Sequence, residues 1–533
     1  MKKLLAVILA AISMFSLFSG CSRGGGQANL GEIDHDKQVE LTIWIPLEPW
    51  ASQATYDKNE PYQIIAEELN LQLTFRHPSI DLTSAREQFN TMMTDKTLPD
   101  IIMCGNWYNG GVAEGVRQGL FVDLSDYVEE YAPDYYRRVN ANEAVKKEIV
   151  NDEKYYAIYG FSETEELCYS GPIWNKKALE RVGEEVPVTI ADWERVLGKF
   201  KNQLGMRAPF GIHELGLQYS EQAIVSAYGA ASGFMLDTET DKVVYGPELD
   251  GYIDYVNLIR KWKDLGYIAA DFDTRDWATN VSDFQNMQQG VMFDNPANAA
   301  ALLGEYNVDW VEGSYPVLNE GDELNLRLKL WMTQAFNGSN NSCAVITRDC
   351  QNVARALEFL NYGFTDEGIL LFNYGTEGKT YEIDEQGNPK FINDYFFDPS
   401  INGGIDLYNA LYTFKNHNGV FVRQEQTANP SLQKYDFCIP IEERWTREVD
   451  STASLPPLSY TRDEEQIITL YFTDINDYVV SQQVAFIFGQ ENDIGSGAVA
   501  SYGNDMQKTL KAMGIDEILE VVQAAYERYK QNG

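Results

Sequence analysis

The chain has 533 residues, enough for about two to four domains at roughly 100–200 residues each. Apolar residues make up 44% and charged residues 23%, which excludes a disordered or collagen-like chain. Lys and Arg total 42 against 80 Asp and Glu, and a net charge of −38 argues against nucleic acid as a main partner, because phosphate binding needs cations.

Lys2 and Lys3 precede an apolar run from Leu4 to Phe18, and Ser19 and Gly20 then lead to Cys21. This is the layout of a secretory signal peptide. The run is shorter than the ~20 apolar residues of a membrane-spanning helix. It resembles the bacterial lipoprotein signal, in which the cysteine is acylated and becomes the first residue. Phe18 departs from that pattern, which prefers Leu at this place. Residues 1–20 therefore read as a lipoprotein signal peptide, with an uncleaved anchor as the alternative. Residues 21–38, containing Gly24, Gly25 and Gly26, read as a flexible tether.

Past residue 38 the elements alternate. Val39 to Ile45 reads as a strand, Pro61 to Leu69 as a helix and Leu71 to Phe75 as a second strand. Ser84-Ala-Arg-Glu87 has the capping-box pattern of a helix start. Ile101 to Cys104 is a short apolar strand, so the run is β-α-β-α-β and predicts a parallel α/β sheet. A second capping box spans Thr189 to Asp192, before Trp193, Val196, Leu197 and Phe200 at helical spacing. Tyr252, Val256, Ile259 and Trp262 form another helical stripe, and Val291 to Phe293 another strand. Ala344 to Thr347 and the helix from Val353 begin a third α/β stretch, and the C-terminus is helical.

No catalytic motif stands in a suitable context. Gly20-Cys-Ser-Arg-Gly24 matches G-x-S-x-G but lies across the processing site. Asp237 to Glu248 has calcium-loop spacing, but Lys242 occupies the place that needs Gly, so a charged hairpin is the better reading. Beyond Cys21 the cysteines are Cys104, Cys168, Cys343, Cys350 and Cys438, an odd set without C-x-x-C. Buried thiols are expected, with a Cys343–Cys350 pair as the alternative.

Several segments together resemble the family-1 extracellular solute-binding proteins, the lipid-anchored binding subunits of carbohydrate ABC importers, and within them the long oligosaccharide-binding type of Gram-positive bacteria. They are LTIWI at Leu41 to Ile45, LPDIIM at Leu98 to Met103, and GLFVDLSDYV at Gly119 to Val128. DEKYYAIYG at Asp152 to Gly160, Ile173 to Leu197, TDEGILLFNYGTEGKTYE at Thr365 to Glu382, and Met513 to Tyr529 complete the set. The resemblance implies an α/β type II periplasmic-binding-protein fold, with two lobes, a hinge and a ligand cleft between them. It divides the chain into 39–158 as the first part of the N-lobe and 159–335 as the first part of the C-lobe. Residues 336–395 would then return to the N-lobe, and 396–533 would complete the C-lobe. It also implies a monomer on the outer face of the cell membrane, held by lipid on Cys21, that delivers oligosaccharide to permease subunits. No enzyme activity, cofactor or metal is expected. Relatives carry a calcium loop after the helix ending near Phe200, and here Lys201 to Pro209 holds no carboxylate.

Sugars offer flat apolar faces and a rim of hydroxyls, so aromatic rings beside polar side chains are the residues to look for. In open α/β sheets these sit on loops beyond the carboxyl ends of strands. That rule selects Trp44, Glu48 and Trp50 after the first strand, and Asn106 and Trp107 after the third. It also selects Trp277 in a loop between helices, Asp294 and Asn295 after the strand at 291, and Trp331 before a Gly/Asn-rich crossing. Tyr374 and Glu377 come from the most distinctive family segment. Trp44 also reads as core, Asp294 and Asn295 as turn residues, and Tyr374 and Glu377 as structural. Two other functions are compatible with this pattern: a peptide or lipopeptide receptor on the same fold, and a surface glycosidase or lyase.

Overall fold

The computed structural model describes residues 29–31, 33–47, 55–150, 154–163, 168, 170–212, 224–272, 274–304, 309–324, 342–392, 411–413, 419–424, 427–449, 452–456, 458, 460–489 and 496–531. β1 (Val39–Trp44) is followed by α1 (Glu60–Glu68), which begins at Asn59 with Pro61 in its first turn. β2 (Leu71–Arg76) then lies parallel to β1, with Val39 opposite Leu71. α2 (Leu82–Met92) starts three residues earlier than the capping-box pattern suggested. Its cap is Asp81, whose carboxylate accepts from the Ser84 amide at 2.9 Å and from the Ser84 hydroxyl at 2.7 Å. One carboxylate oxygen thus takes both donors, and Ser84 becomes part of the first turn. β3 (Ile101–Met103) runs parallel to β1 on its other side, and a 3-10 turn at Gly105–Trp107 leads into α3 (Gly111–Arg117). β4 (Ile158–Tyr159) and β5 (Phe161–Ser162) then lead out of this lobe.

The second lobe is built on β6 (Gly171–Asn175), α4 (Ile190–Leu204), β7 (Phe210–Gly211), α5 (Asp250–Asp264), α6 (Trp277–Gln285), β8 (Val291–Asp294), α7 (Pro296–Gly304) and β9 (Trp310–Glu312). Its sheet has the order β9-β6-β8-β7. The Thr189–Asp192 capping box is present, and Trp193, Val196, Leu197 and Phe200 are fully buried as their spacing requires. Trp193 stacks on Trp262 of α5 with ring centroids 6.5 Å apart. The segment from Asp237 is part of an antiparallel hairpin, Phe234–Asp237 with Lys242–Tyr245.

β10 (Cys343–Ile346) returns to the first lobe and inserts antiparallel between β3 and β4, giving the order β2-β1-β3-β10-β4. α8 (Val353–Asn361) and α9 (Asp366–Tyr374) follow, then a hairpin of β11 (Tyr381–Ile383) and β12 (Pro389–Phe391). β13 (Val422–Arg423) pairs with β5, and Val420, Phe421 and Val422 pack in the first lobe's core. The return to this lobe therefore extends to Arg423, past the limit of 395 drawn from the sequence, because an apolar strand and its partner strand hold it there. α10 (Ile439–Glu448), α11 (Arg462–Phe488), α12 (Ser496–Ala512) and α13 (Ile515–Gln531) complete the second lobe. Ile475, Val479, Met506, Leu510, Ile518 and Val522 carry the last three of these helices into its core.

Strands from three passages meet at one point. The Gly160 amide donates to Ser342 O at 2.9 Å, and the Phe161 amide to Phe421 O at 3.2 Å. The Ser342 hydroxyl donates to Gly419 O, and Arg423 Nη2 lies 3.3 Å from the same hydroxyl. A β-carbon on Gly160 would overlap both Ser342 Oγ and Gly419 O, so this close approach requires glycine.

Cys104, Cys168, Cys343, Cys350 and Cys438 are buried free thiols. Cys343 belongs to the cluster on one face of the first sheet and Cys350 to the cluster on the other, so the two do not pair. Burial pushes both thiols up to about 12. No described helix is long and apolar enough to cross a membrane.

Candidate functional site

Two sheet edges lie where the lobes connect. On the first lobe these are the carboxyl ends of β1 and β3. His77 pins the end of β1: its Nδ1 bonds Ile45 O at 2.9 Å and its Nε2 accepts from the Tyr56 amide at 3.4 Å. This pattern places the proton on Nδ1, and burial lowers the pKa of the ring. On the second lobe, β8 ends at Asp294 opposite Gly171, the first residue of β6, and β9 ends at Glu312 opposite Ile173.

α10 lies across this second edge. Pro440 sits in its first turn, and Ile441, Trp445 and Val449 recur at i, i+4 and i+8 to face the cluster under the sheet. The Asn295 amide donates to Glu442 Oε1 at 2.9 Å, which ties the helix to the end of β8. The Trp445 indole N–H donates to Gly313 O at 2.7 Å, and the Ser314 hydroxyl to Glu448 Oε1 at 2.8 Å, which ties it to the end of β9. Gly171 lies under the Trp445 ring, where a β-carbon would overlap the indole. The first passage between lobes also rests on α10: the Cys168 amide donates to Thr446 Oγ1 at 2.7 Å.

The residues selected from the sequence fall into distinct groups. Trp44 and Trp107 come together, but inside the packing. Trp44 is 5% and Trp107 7% exposed, with ring centroids 5.7 Å apart and Phe89 beside both. The Arg86 guanidinium lies 4.7 Å over the Trp107 ring. Both rings are packed among the first lobe's own side chains, so Trp44 is core, as its place in an apolar run indicates, and Trp107 is not an open stacking ring. Tyr374 is likewise core, 1% exposed between Tyr381 and Phe391, while Glu377 is exposed in the turn before β11. Trp277 is the first residue of α6 and is capped by Asp276, whose side chain accepts from the Thr279 amide at 2.8 Å, so this stretch is a helix start and not a loop. Asp294 and Asn295 are buried at the end of β8, and Asn295 Oδ1 caps α7 by accepting from the Ala297 and Asn298 amides. Cys21, Glu48, Trp50 and Trp331 lie outside the described residues.

Glu442 and Glu448 were missed by the sequence reading. The i, i+4, i+8 apolar spacing after Pro440 is the signal that marks this helix. Glu442 is only 3% exposed, and burial pushes its carboxyl up to about 8, with the Asn295 hydrogen bond opposing. Several oxygens at these edges have no hydrogen-bond partner among the described residues. Asn106 Oδ1, beyond β3, and Glu448 Oε2, beside the end of β9, are buried in that state. Unsatisfied buried acceptors are costly, and a ligand rich in hydroxyls would satisfy them. Among the described residues no group of three or more His, Cys, Asp and Glu side chains converges on a metal position. Met206 and Ala208, in the stretch after α4, are buried.

A model of the family described as bacterial extracellular solute-binding protein matches residues 80–369. The polygalacturonan/rhamnogalacturonan-binding protein YtcQ of Bacillus subtilis (strain 168) is 20% identical over 391 residues, covering 71% of this chain and 74% of that protein. The fructooligosaccharide ABC transporter substrate-binding protein FusA of Streptococcus pneumoniae is 20% identical over 481 residues, 85% of each chain. The crystal structure of FusA in complex with kestose matches with a TM-score of 0.73 at 16% identity, over 93% of this chain and all of that one (100%). The alginate-binding protein AlgQ2, in a structure without calcium ion, matches with a TM-score of 0.70 at 20% identity, over 92% of this chain and 98% of that one.

Proposed function

The chain belongs to the family of bacterial extracellular solute-binding proteins, and from that premise we propose that it captures an oligosaccharide between its lobes and delivers it to the permease of an ABC importer. The observation that carries the carbohydrate reading is the pair of buried oxygens without a partner beside strand ends of the two lobes, Asn106 Oδ1 on one and Glu448 Oε2 on the other. Sugar hydroxyls supply the donors these oxygens need, and a ligand that touches both edges draws the lobes together. The names of the relatives YtcQ and FusA, both of which refer to saccharides, support the same class. Binding occurs without turnover: the ligand leaves unchanged for the permease. The protein works on the outer face of the cell membrane as a monomer held by lipid on Cys21, in keeping with the layout of residues 1–21.

A thermal-shift screen of the full protein against oligosaccharides tests this. A true ligand at 100 times its Kd raises stability by about 2.7 kcal/mol. The chain length of that sugar, read by mass spectrometry after long incubation, should be unchanged. Shorter products, lost on replacing one carboxylate, would make the protein an enzyme. Failure of every saccharide to stabilise it, with stabilisation by peptides, would replace the carbohydrate reading.

A further inference from the structure

Among the described residues the edge of the second sheet is acidic, and its cations Arg444 and Arg447 are engaged in ion pairs. α10 brings Glu442 and Glu448 to this edge, β8 ends in Asp294 and β9 in Glu312. Arg444 pairs with Glu312 at 3.1 Å and with Glu448 at 3.2 Å, and its Nη2 donates to Gly313 O at 3.1 Å. Arg447 points to Glu443 at 3.7 Å and is exposed. Glu442 is the most deeply set of these groups. Its Oε1 accepts from Asn295, and the residue is 3% exposed. Because Asn295 Oδ1 is committed to the α7 amides, its NH2 must face Glu442, which fixes the carboxyl. Burial keeps that carboxyl protonated at neutral pH, so it offers an O–H donor as well as an acceptor.

We infer that this wall is built for an uncharged oligosaccharide, that Glu442 hydrogen-bonds a sugar hydroxyl through its second oxygen, and that the wall rejects polyuronates. The inference rests on the carbohydrate reading above. A uronate chain brings one carboxylate per sugar into a site largely closed to water. It needs Arg or Lys with spare donors, and against Asp294 and Glu448 it meets like charge. Leaving such charges unpaired is how a site excludes a competing ligand of similar shape. A neutral sugar offers hydroxyls that both donate and accept, which suits Glu448 Oε2 and either protonation state of Glu442.

The experiment is calorimetry on the full protein at neutral pH. The neutral probes are kestose, nystose and short manno-, malto- and xylo-oligosaccharides. The acidic probes are tri- and tetragalacturonate and alginate oligomers. At least one neutral probe should bind about tenfold or more tighter than any acidic one. Glu442→Gln, which keeps a donor and an acceptor, should retain affinity within about threefold, whereas Glu442→Met should lose at least about fivefold. Tightest binding to a uronate overturns the inference and leaves the carbohydrate reading standing. Undiminished neutral-sugar binding by Glu442→Met removes Glu442 from the site. If Glu442→Met does not fold, the probe series on the parent and on Glu442→Gln decides. Binding of no saccharide at all overturns both readings.

Discussion

Truncating Trp107 takes a neighbour from Trp44, Phe89 and Arg86 at once. A buried ring of this kind costs about 3–5 kcal/mol when cut to alanine. Trp107→Ala should therefore show a markedly lower urea midpoint, and a midpoint equal to the parent's would mean that the ring is dispensable to packing. Glu442 gives a pH dependence of defined sign. Its carboxyl rises from the ordinary 4.5 to about 8 in the folded protein. Between those values the folded state holds a proton that the unfolded chain has lost. Stability therefore falls as pH rises through this window. Glu442→Gln lacks that loss, so its melting temperature relative to the parent should climb from acid to mildly alkaline pH. Parallel melting curves would show that Glu442 ionises as an ordinary glutamate. Both residues show where reading the chain stops short. The polar neighbours of Trp107 mark a loop correctly, but whether the ring is covered depends on Phe89 and Trp44, which only the fold brings close. Burial of Glu442 depends on β8 in the same way, whereas the position of Asp294 and Asn295 at the end of that strand was legible, because the apolar run Val291 to Phe293 leads into them.

α10 works as a bar across three strand ends, and its fit is set by a glycine it does not contain. Gly171→Ala pushes a methyl group into the Trp445 indole, which must move away from Gly313 O. Overpacking of this kind costs about 1–3 kcal/mol. The variant should melt earlier and bind the screened oligosaccharide more weakly, since Glu442 and Glu448 move with the helix; unchanged melting and binding would show that the helix yields freely. The longer elements were legible in the sequence because each carries its own period: in β1 Val39, Leu41 and Ile43 alternate with Glu40 and Thr42, α4 has an apolar stripe closed by a capping box, and α5 has an apolar stripe that ends before Gly266. α10 was not, because only Ile441, Trp445 and Val449 interrupt a charged stretch. The two-residue strands β5 and β13 were not legible either, since they exist only through pairing with each other. This is also why the return of the chain to the first lobe was drawn too short.

At the scale of the whole molecule, residues 1–21 are proposed to carry an address, and the two lobes a closing motion. If Cys21 is the acylated residue, Cys21→Ser should abolish incorporation of labelled fatty acid, and persistence of the label would refute the lipid anchor. Closure is expected to pivot where Gly160, Ser342 and Gly419 pack together, because the passages between the lobes meet there. A ligand that touches only one lobe gains nothing from closure, whereas one that reaches both Asn106 and Glu448 binds the closed state better and shifts the population toward it. The apparent affinity then contains the closed fraction as a factor. Gly160→Ala acts on this factor: its β-carbon would strike Ser342 Oγ and Gly419 O and spread the crossing strands, at a stability cost of about 1–3 kcal/mol. The expected result is a loss of affinity of about fivefold or more in a protein that still melts cooperatively, at a lower temperature than the parent. Small-angle scattering should show the parent contracting when the oligosaccharide is added, while Gly160→Ala keeps its ligand-free radius at the same ligand concentration. A variant that contracts and binds like the parent would place the pivot of closure away from Gly160.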